Sequence, residues 1–188
     1  MQNATNVTTG KPKVSGGIWR APKGTALPTD ATSALSDAYV CLGYVSEDGV
    51  KNANEMNVSE IKAWGGVIVY RSLNGLNDQF SFALIESENV DVLKAVYGAN
   101  NVTVDAQGNV AVAVKAEDPE EAVWVIELAL RGGIARRIVF PDGAITAREE
   151  ITLNDSDPIA YGTTVSAYPI ETGESHFEYT EKIGTPSV

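Results

Sequence analysis

Apolar and polar residues alternate along several segments of the chain, which is the pattern of β-strands with one buried face. Phe80, Phe82 and Leu84 are separated by small or polar residues, and the pattern recurs between Ile145 and Leu153 and between Phe177 and Ile183. Each of these strands should turn one face to a core and the other to solvent or to a partner. The chain is therefore predicted to be mainly β.

Three further segments are apolar on both faces of the strand that each would form. They run from Val67 to Tyr70, from Val110 to Val114 and from Val123 to Leu130. A domain of this size has few further strands or helices with which to cover both faces of a strand. We therefore expect partner subunits to cover the second face.

A single helix is clearly indicated, between Ser87 and Gly98. Ser87 or Asn89 can cap its first turn, and Gly98 can supply a left-handed stop. A helix of about two turns is not stable alone, so it must dock on a sheet. The predicted fold is a β-sandwich or partial barrel with one short flanking α-helix.

The first 36 residues are rich in glycine and proline. They predict an extended N-terminal arm with one short strand around Ile18 to Arg20 and no core element. Residues 37–183 are predicted to form the β-sandwich domain, followed by a C-terminal tail at 184–188. The polar stretch from Ser72 to Asp78 predicts a protruding hairpin loop, and we expect both this loop and the arm to be mobile in a free subunit.

The formal net charge of −11 is unevenly distributed. Residues 1–36 carry four bases and one acid, whereas the chain from Leu76 onward carries 19 acids and 7 bases. Tight binding of duplex DNA requires the opposite balance, because it depends on neutralising phosphates. A basic arm on an acidic body suggests that the arm of one copy meets the body of another. A solvated acidic surface without any partner explains the charge equally well.

The sequence offers little catalytic chemistry. Cys41 and His176 are each the only residue of their type, which excludes a disulfide within the chain and a cysteine metal cluster. No nucleophile elbow, phosphate-binding loop or dinucleotide fingerprint occurs. The run from Asn154 to Pro158 is better explained by a solvated turn than by a calcium loop. We predict no catalytic, cofactor-binding or metal-binding residues, with an unrecognised hydrolase as the open alternative.

No apolar run is long enough to cross a bilayer, and the first residues lack the apolar region of a secretory signal. We therefore expect a protein without a membrane partner.

Five segments of the chain, taken in order, carry a resemblance to a known family. They are GGIWRAPKGTALP (16–28), LGYVSEDGV (42–50), IKAWGG (61–66), VLKAVYG (92–98) and RRIVFPDGAI (136–145). Together they resemble the major tail tube proteins of long-tailed bacteriophages (siphophages), and the resemblance covers about residues 16–183. It implies a structural virion protein that forms rings of six subunits, stacked into a hollow tube that conducts the phage genome along an acidic lumen. Some relatives add a C-terminal immunoglobulin-like domain, which we do not expect here.

The resemblance also implies the protein's partners and location. The chain would assemble with itself and with the tail-tip initiator, tape-measure and tail terminator proteins, while phage DNA passes through without tight binding. It would be assembled in the host bacterial cytoplasm, reside in the virion tail and have no enzymatic activity. A tube protein of a contractile injection system and a virion decoration or adhesin sandwich are the alternatives.

Within this interpretation, Glu60 and Glu127 are candidate lumen-facing acids, because they lie opposite the apolar positions Ile61 and Trp124. Solvent exposure on an outer face would explain both equally well. Trp64 is predicted to pack in the core or in an interface. The candidate inter-ring contacts are Lys11, Lys13 and Lys23 in the arm and Leu73, Asn74, Gly75 and Leu76 in the predicted loop.

Overall fold

A computed structural model describes residues 2–183, and it confirms a mainly β fold with one short α-helix. Residue 1 and the predicted C-terminal tail, 184–188, lie outside the described residues. The strands are β1 (Gly10–Pro12), β2 (Ile18–Pro22), β3 (Val40–Cys41), β4 (Lys51–Lys62), β5 (Ile68–Leu84), β6 (Val102–Val104), β7 (Val110–Val112), β8 (Ala122–Leu130), β9 (Ile134–Arg148), β10 (Tyr161–Ala167) and β11 (Phe177–Lys182), with α1 at Val90–Tyr97 and 3₁₀ turns at Ala4–Asn6 and Ala99–Asn101.

Within the described residues, nine strands form one open sheet, and β6 and β7 form a separate pair. The main order is β3-β2-β8-β9-β10-β5-β4, with β1 added beside β8 and β11 added beside β9. Every strand pairing is antiparallel. Phe82 on β5 lies 6.2 Å from Trp124 on β8 between ring centroids, although two strands separate β5 from β8 in the sheet. The sheet is therefore folded over on itself, as in a sandwich without a closed barrel.

The main core lies inside this fold. Phe80, Phe82 and Leu84 are buried there, as their alternation predicted, and the ring centroids of Phe80 and Phe140 are 4.2 Å apart. Trp124 is also buried and donates from Nε1 to the Gly143 carbonyl at 3.0 Å. Burying an aromatic residue with its polar atom satisfied is strongly stabilising, and this core joins β2, β5, β8, β9 and β10.

Helix α1 forms where its capping residues predicted. The Asn89 side chain accepts a hydrogen bond from the Asp91 amide, and Gly98 ends the helix at φ 94° with its amide donating to the Lys94 carbonyl. Val92 and Val96 are buried in the main core. The short helix is therefore held by docking rather than by its own propensity.

The second face of β8 is covered by the chain itself. Val123 and Val125 pack in a separate cluster with Ala21 and Tyr39. The expectation that a partner subunit covers this strand is therefore wrong, because residues from the glycine- and proline-rich start of the chain do so. The other two segments named above are largely exposed, and their cover by a partner stays a prediction.

The N-terminal segment also contributes to the fold more than expected. Strand β2 lies between β3 and β8, and Ile18 is 1% exposed in the main core. The expectation of no core element in residues 1–36 is wrong, because isolated apolar residues between glycines and prolines still reach buried positions. The division of the chain at residue 36 stays a prediction.

Candidate assembly surface

A long two-stranded ribbon extends from the body of the subunit. Strand β10 pairs with β5 only as far as Asp78, so beyond this point β5 has β4 as its single neighbour. We call residues 55–77 the distal ribbon. It consists of the outer parts of β4 and β5 and the turn between them. Among its residues, nearly all are exposed.

The predicted loop at residues 72–78 is wrong, because these residues belong to β5. Asn57 pairs with Gly75 and Val58 with Leu73, so Asn74 is the extra residue of a β-bulge. Its side chain donates to the Ser59 hydroxyl across the ladder. Glycine and asparagine therefore mark a bulge here rather than the end of a strand.

The ribbon turns at its tip through Ala63 to Val67. The Ala63 amide donates to the Val67 carbonyl at 2.8 Å, and Gly65 and Gly66 take positive φ values of 102° and 87°. Trp64 stands at this tip with its side chain fully exposed. The prediction that Trp64 packs in the core is wrong, whereas its place in an interface stays a prediction.

The two faces of the distal ribbon differ in chemistry. On one face, which we call the apolar face, Met56 pairs with Leu76 and Val58 with Leu73. These four side chains are 46–69% exposed. The opposite, polar face carries one acid and no base along the same length, and only nearer the tip does it carry the exposed apolar pair Ile61 and Tyr70. Its polar part consists of Glu55, Asn57, Ser59, Ser72, Gly75 and Asn77.

Both edges of the distal ribbon are open within the subunit. The outer edge of β4 has no neighbouring strand, and β5 has none on its other side between Ile68 and Asn77. Unpaired backbone groups on an exposed edge readily pair with another chain. An isolated two-stranded hairpin is also marginally stable in water. Both properties favour contact with a further copy.

The base of the ribbon is fixed by one buried carboxylate. Asp78 is 1% exposed and accepts hydrogen bonds from Ser175 Oγ at 2.6 Å and His176 Nδ1 at 2.5 Å. The side-chain amides of Asn52 and Asn54 on β4 donate to it at 2.9 and 3.4 Å. The carboxylate therefore ties both strands of the ribbon to the segment that precedes β11.

Burial by itself would raise the pKa of the Asp78 carboxyl. The hydrogen bonds from Ser175, Asn52 and His176, together with the His176 charge, outweigh burial and lower this pKa below its usual value of 3.8. Asp78 therefore remains an anionic acceptor for its neighbours at neutral pH.

This cluster does not have the geometry of a catalytic triad. Ser175 and His176 both contact the same Asp78 oxygen, so the serine hydroxyl is directed to the carboxylate rather than to the imidazole. Over residues 2–183, no group of histidine, cysteine and acidic side chains is arranged to hold a metal ion. No helix in the same range has the length and apolarity required to cross a membrane.

Glu127 does not face a lumen, and that prediction is wrong. Its side chain is buried and accepts hydrogen bonds from Arg137 at 2.5 and 3.1 Å. Arg137, which has no exposed surface, also donates to the carbonyls of Asp30 and Ser33 at 2.8 and 2.7 Å. Assembly can only bury this pair further, so Glu127 stabilises the subunit instead.

Two of the three arm lysines have acidic partners in their own subunit. Lys13 pairs with Glu127 at 3.1 Å, and Lys23 pairs with Glu121 at 2.5 Å and Asp142 at 2.8 Å. The hydrogen bonds to Asp142 and Glu121 raise the pKa of Lys23 to about 12. Lys11 is exposed on β1. An inter-ring role for the three lysines stays a prediction, but Lys13 and Lys23 do not depend on a neighbour for a counter-charge.

Glu60 is exposed on the apolar face and forms an ion pair with Arg71 at 3.1 Å. Its position in a lumen stays a prediction. Of the predicted loop contacts, Leu73 and Leu76 belong to the apolar face, Gly75 lies opposite Asn57, and Asn74 forms the bulge.

Comparison with known proteins is consistent with a surface built for assembly. The family model of phage tail tube proteins matches residues 3–185, nearly the whole chain. The chain belongs to this family. No curated protein matches it. As a phage tail tube protein it is a structural component of the virion tail, and the predicted family is confirmed. Membership also implies self-assembly into a tube with other tail proteins.

The sequence contained a signal for the surface that was missed. Met56 and Val58 alternate with polar residues between Asn54 and Glu60, which is the period of a strand with one apolar face. Arg137, the cation that holds Glu127, lies directly opposite it in the hairpin of β8 and β9, so an acid and a base on two neighbouring apolar strands were a second signal that was missed.

Proposed function

We propose that this phage tail tube protein forms hexameric rings that stack into the tail tube and conduct the phage genome during ejection. The observation that carries the proposal is the distal ribbon, with its exposed apolar face and two open edges. The number six comes from the family resemblance. Assembly in the host cytoplasm and contacts with tail-tip, tape-measure and terminator proteins belong to the same proposal.

Edge pairing between ribbons explains how the subunits join. The outer edge of β4 in one copy can pair with the open part of β5 in the next, because the two edges lie on opposite sides of the same ribbon. Such a contact is heterologous, and successive copies close into a ring when the rotation between them allows it. Pairing also satisfies the backbone groups that a free subunit leaves exposed.

The two ribbon faces then receive different roles. We assign the apolar face, with Met56 and Leu73, to packing against protein, since water contact there is unfavourable. The polar face lines the lumen in this arrangement, and its single acid, Glu55, takes the role that was first considered for Glu60. A wall without bases does not hold phosphate, so DNA can slide along it.

Negative-stain electron microscopy of the purified protein tests the proposal. The unaltered chain should give tubes of uniform diameter, at high concentration or when a tail-tip initiator is added. Leu73→Asn on the apolar face should leave the subunit folded by circular dichroism and prevent tube growth. Ser72→Asn, on the neighbouring polar position, is the matched control and should assemble normally.

An unaltered protein that sedimented as a monomer under all these conditions would contradict the proposed assembly. Tubes of normal length from Leu73→Asn would show instead that the apolar face is not buried between subunits.

A further inference from the structure

An apolar groove opens at the base of the ribbon, on the same side of β5 as the main core. Its volume is about 650 Å³. Its accessible apolar surface belongs to Pro12, Val45, Val50 and Leu128, and beneath these lie the buried side chains of Phe80, Ile126 and Ile138. One wall is formed by β1 and the other by residues 45–50. Contacts within the subunit leave this volume open.

The second wall of the groove is held in a defined conformation. The Ser46 amide donates to the Ala83 carbonyl at 2.9 Å, and the Gly49 amide closes a turn on the Ser46 carbonyl at 3.0 Å. Glu47 and Asp48 are exposed at this turn and give the rim two negative charges. Lys11 lies on the opposite wall.

The tip of the ribbon has the complementary properties. Trp64 is fully exposed, and a tryptophan that becomes buried contributes roughly 150–250 Å² of contact area. Beside it, Lys62 is exposed, whereas the nearby Glu60 and Arg71 already neutralise each other. The tip therefore presents one large aromatic side chain and one net positive charge.

The tip and the groove lie at opposite ends of the same ribbon. Asn52 and Phe80 line the groove at the ribbon base, while the strands continue from Asp78 to Ile68 before the turn. At a rise of about 3.3 Å per residue, this separates tip and groove by roughly 30 Å. A subunit cannot fill its own groove with its own tip.

We propose that Trp64 of one copy inserts into the apolar groove of a second copy, with Lys62 facing the acidic rim at Glu47 and Asp48. This inference rests on the proposed assembly and identifies which surfaces meet within it. The contact is head-to-tail. It leaves a free tip at one end of the pair and a free groove at the other. It can therefore repeat along an axis without closing.

Tube formation by charge variants tests the polar half of the contact. Lys62→Glu should raise the concentration needed for tubes, and adding Glu47→Lys and Asp48→Lys to the same chain should lower it again. Lys115→Glu, at an exposed lysine after β7 that does not line the groove, is the matched control and should assemble like the unaltered protein. Trp64→Ala should raise the required concentration about tenfold or more, as expected for a central aromatic anchor.

Disulfide trapping tests the pairing directly. Two full-length chains, both with Cys41→Ser and both keeping Trp64, carry Lys62→Cys in one and Asp48→Cys in the other. Mixing them under mild oxidation should produce linked dimers that form far less in either chain alone.

The docking is overturned, and the proposed assembly left intact, if three results occur together. The unaltered protein forms tubes, the two cysteine variants form no linked dimers, and Trp64→Ala does not change the concentration needed for tubes. If the unaltered protein forms no tubes and the two cysteine variants form no linked dimers, both the docking and the proposed assembly are overturned.

Discussion

Replacing Asp78 by asparagine should weaken the anchor at the base of the ribbon. The carboxylate accepts three short hydrogen bonds, from Ser175, His176 and Asn52, at 2.5–2.9 Å. A hydrogen bond to a charged group contributes about 1.5–3 kcal/mol, against about 0.5–1.5 kcal/mol for a neutral one. Replacing each charged hydrogen bond by a neutral one therefore loses about 1 kcal/mol, and three of them come to about 3 kcal/mol. Burying the neutral amide costs less than burying the carboxylate, which offsets part of this loss. We expect a loss of about 2 kcal/mol in the free energy of unfolding.

Urea unfolding of the subunit, followed by tryptophan fluorescence, measures this loss. Glu55→Gln is the matched control, because it makes the same carboxylate-to-amide change at an exposed position of β4, and its stability should be within about 0.5 kcal/mol of the unaltered chain.

The pH dependence gives a second, independent measurement. The pKa of Asp78 is lowered in the folded state, so its contribution to stability is fully present above the usual value of 3.8. This contribution is lost as the pH falls through the lower folded-state pKa. The stability difference between the unaltered protein and Asp78→Asn should therefore shrink as the pH falls below 3.8. Equal stability of the two proteins at pH 7, or a difference that does not shrink in this acidic range, would refute the role given to the carboxylate.

Three further predictions follow from the rest of the subunit. Arg137→Met should cost about 3 kcal/mol in chemical unfolding because it leaves the buried Glu127 carboxylate with the partly exposed Lys13 as its remaining cation. Arg136→Met, at a partly exposed site, should cost less than about 1 kcal/mol. Gly43→Ala should lower the melting temperature more than Gly49→Ala. Both glycines have φ near +70°, but only at Gly43 would an added Cβ collide with a carboxylate, that of Glu86; equal shifts would contradict this. Duplex DNA should show no micromolar affinity at physiological salt in a titration, and such binding would contradict the conduit.

Short sequence patterns correctly predicted those strands and helix ends that are decided by residues adjacent in the chain. The alternation at Phe80, Phe82 and Leu84 identified a half-buried strand, and Asn89 and Gly98 identified both ends of α1. In each case the residues that decide the structure are neighbours in sequence. Their backbone preferences act before tertiary packing does.

The errors arose where distant residues decide the structure. Gly75 and Asn74 indicated a turn, but the long pairing of β4 with β5 absorbs them as a bulge. Glu127 was placed in a lumen because its neighbours are apolar, whereas Arg137 makes burial of its charge tolerable. Neither the length of a ladder nor the strand register that sets Glu127 opposite Arg137 is visible in a short sequence window.

The position of β2 inside the sheet has a consequence for how the chain folds. Ile18 pairs with Ile126, so the pairing of β2 with β8 cannot form until more than a hundred residues of intervening chain are brought together. Pairing over such a separation is slow, because loop closure precedes any stabilising contact. The β4–β5 hairpin needs no distant partner and can form within microseconds. New subunits would therefore display open, apolar strand edges while their bodies are still incomplete. Slowing synthesis or raising expression should then favour aggregation over tubes.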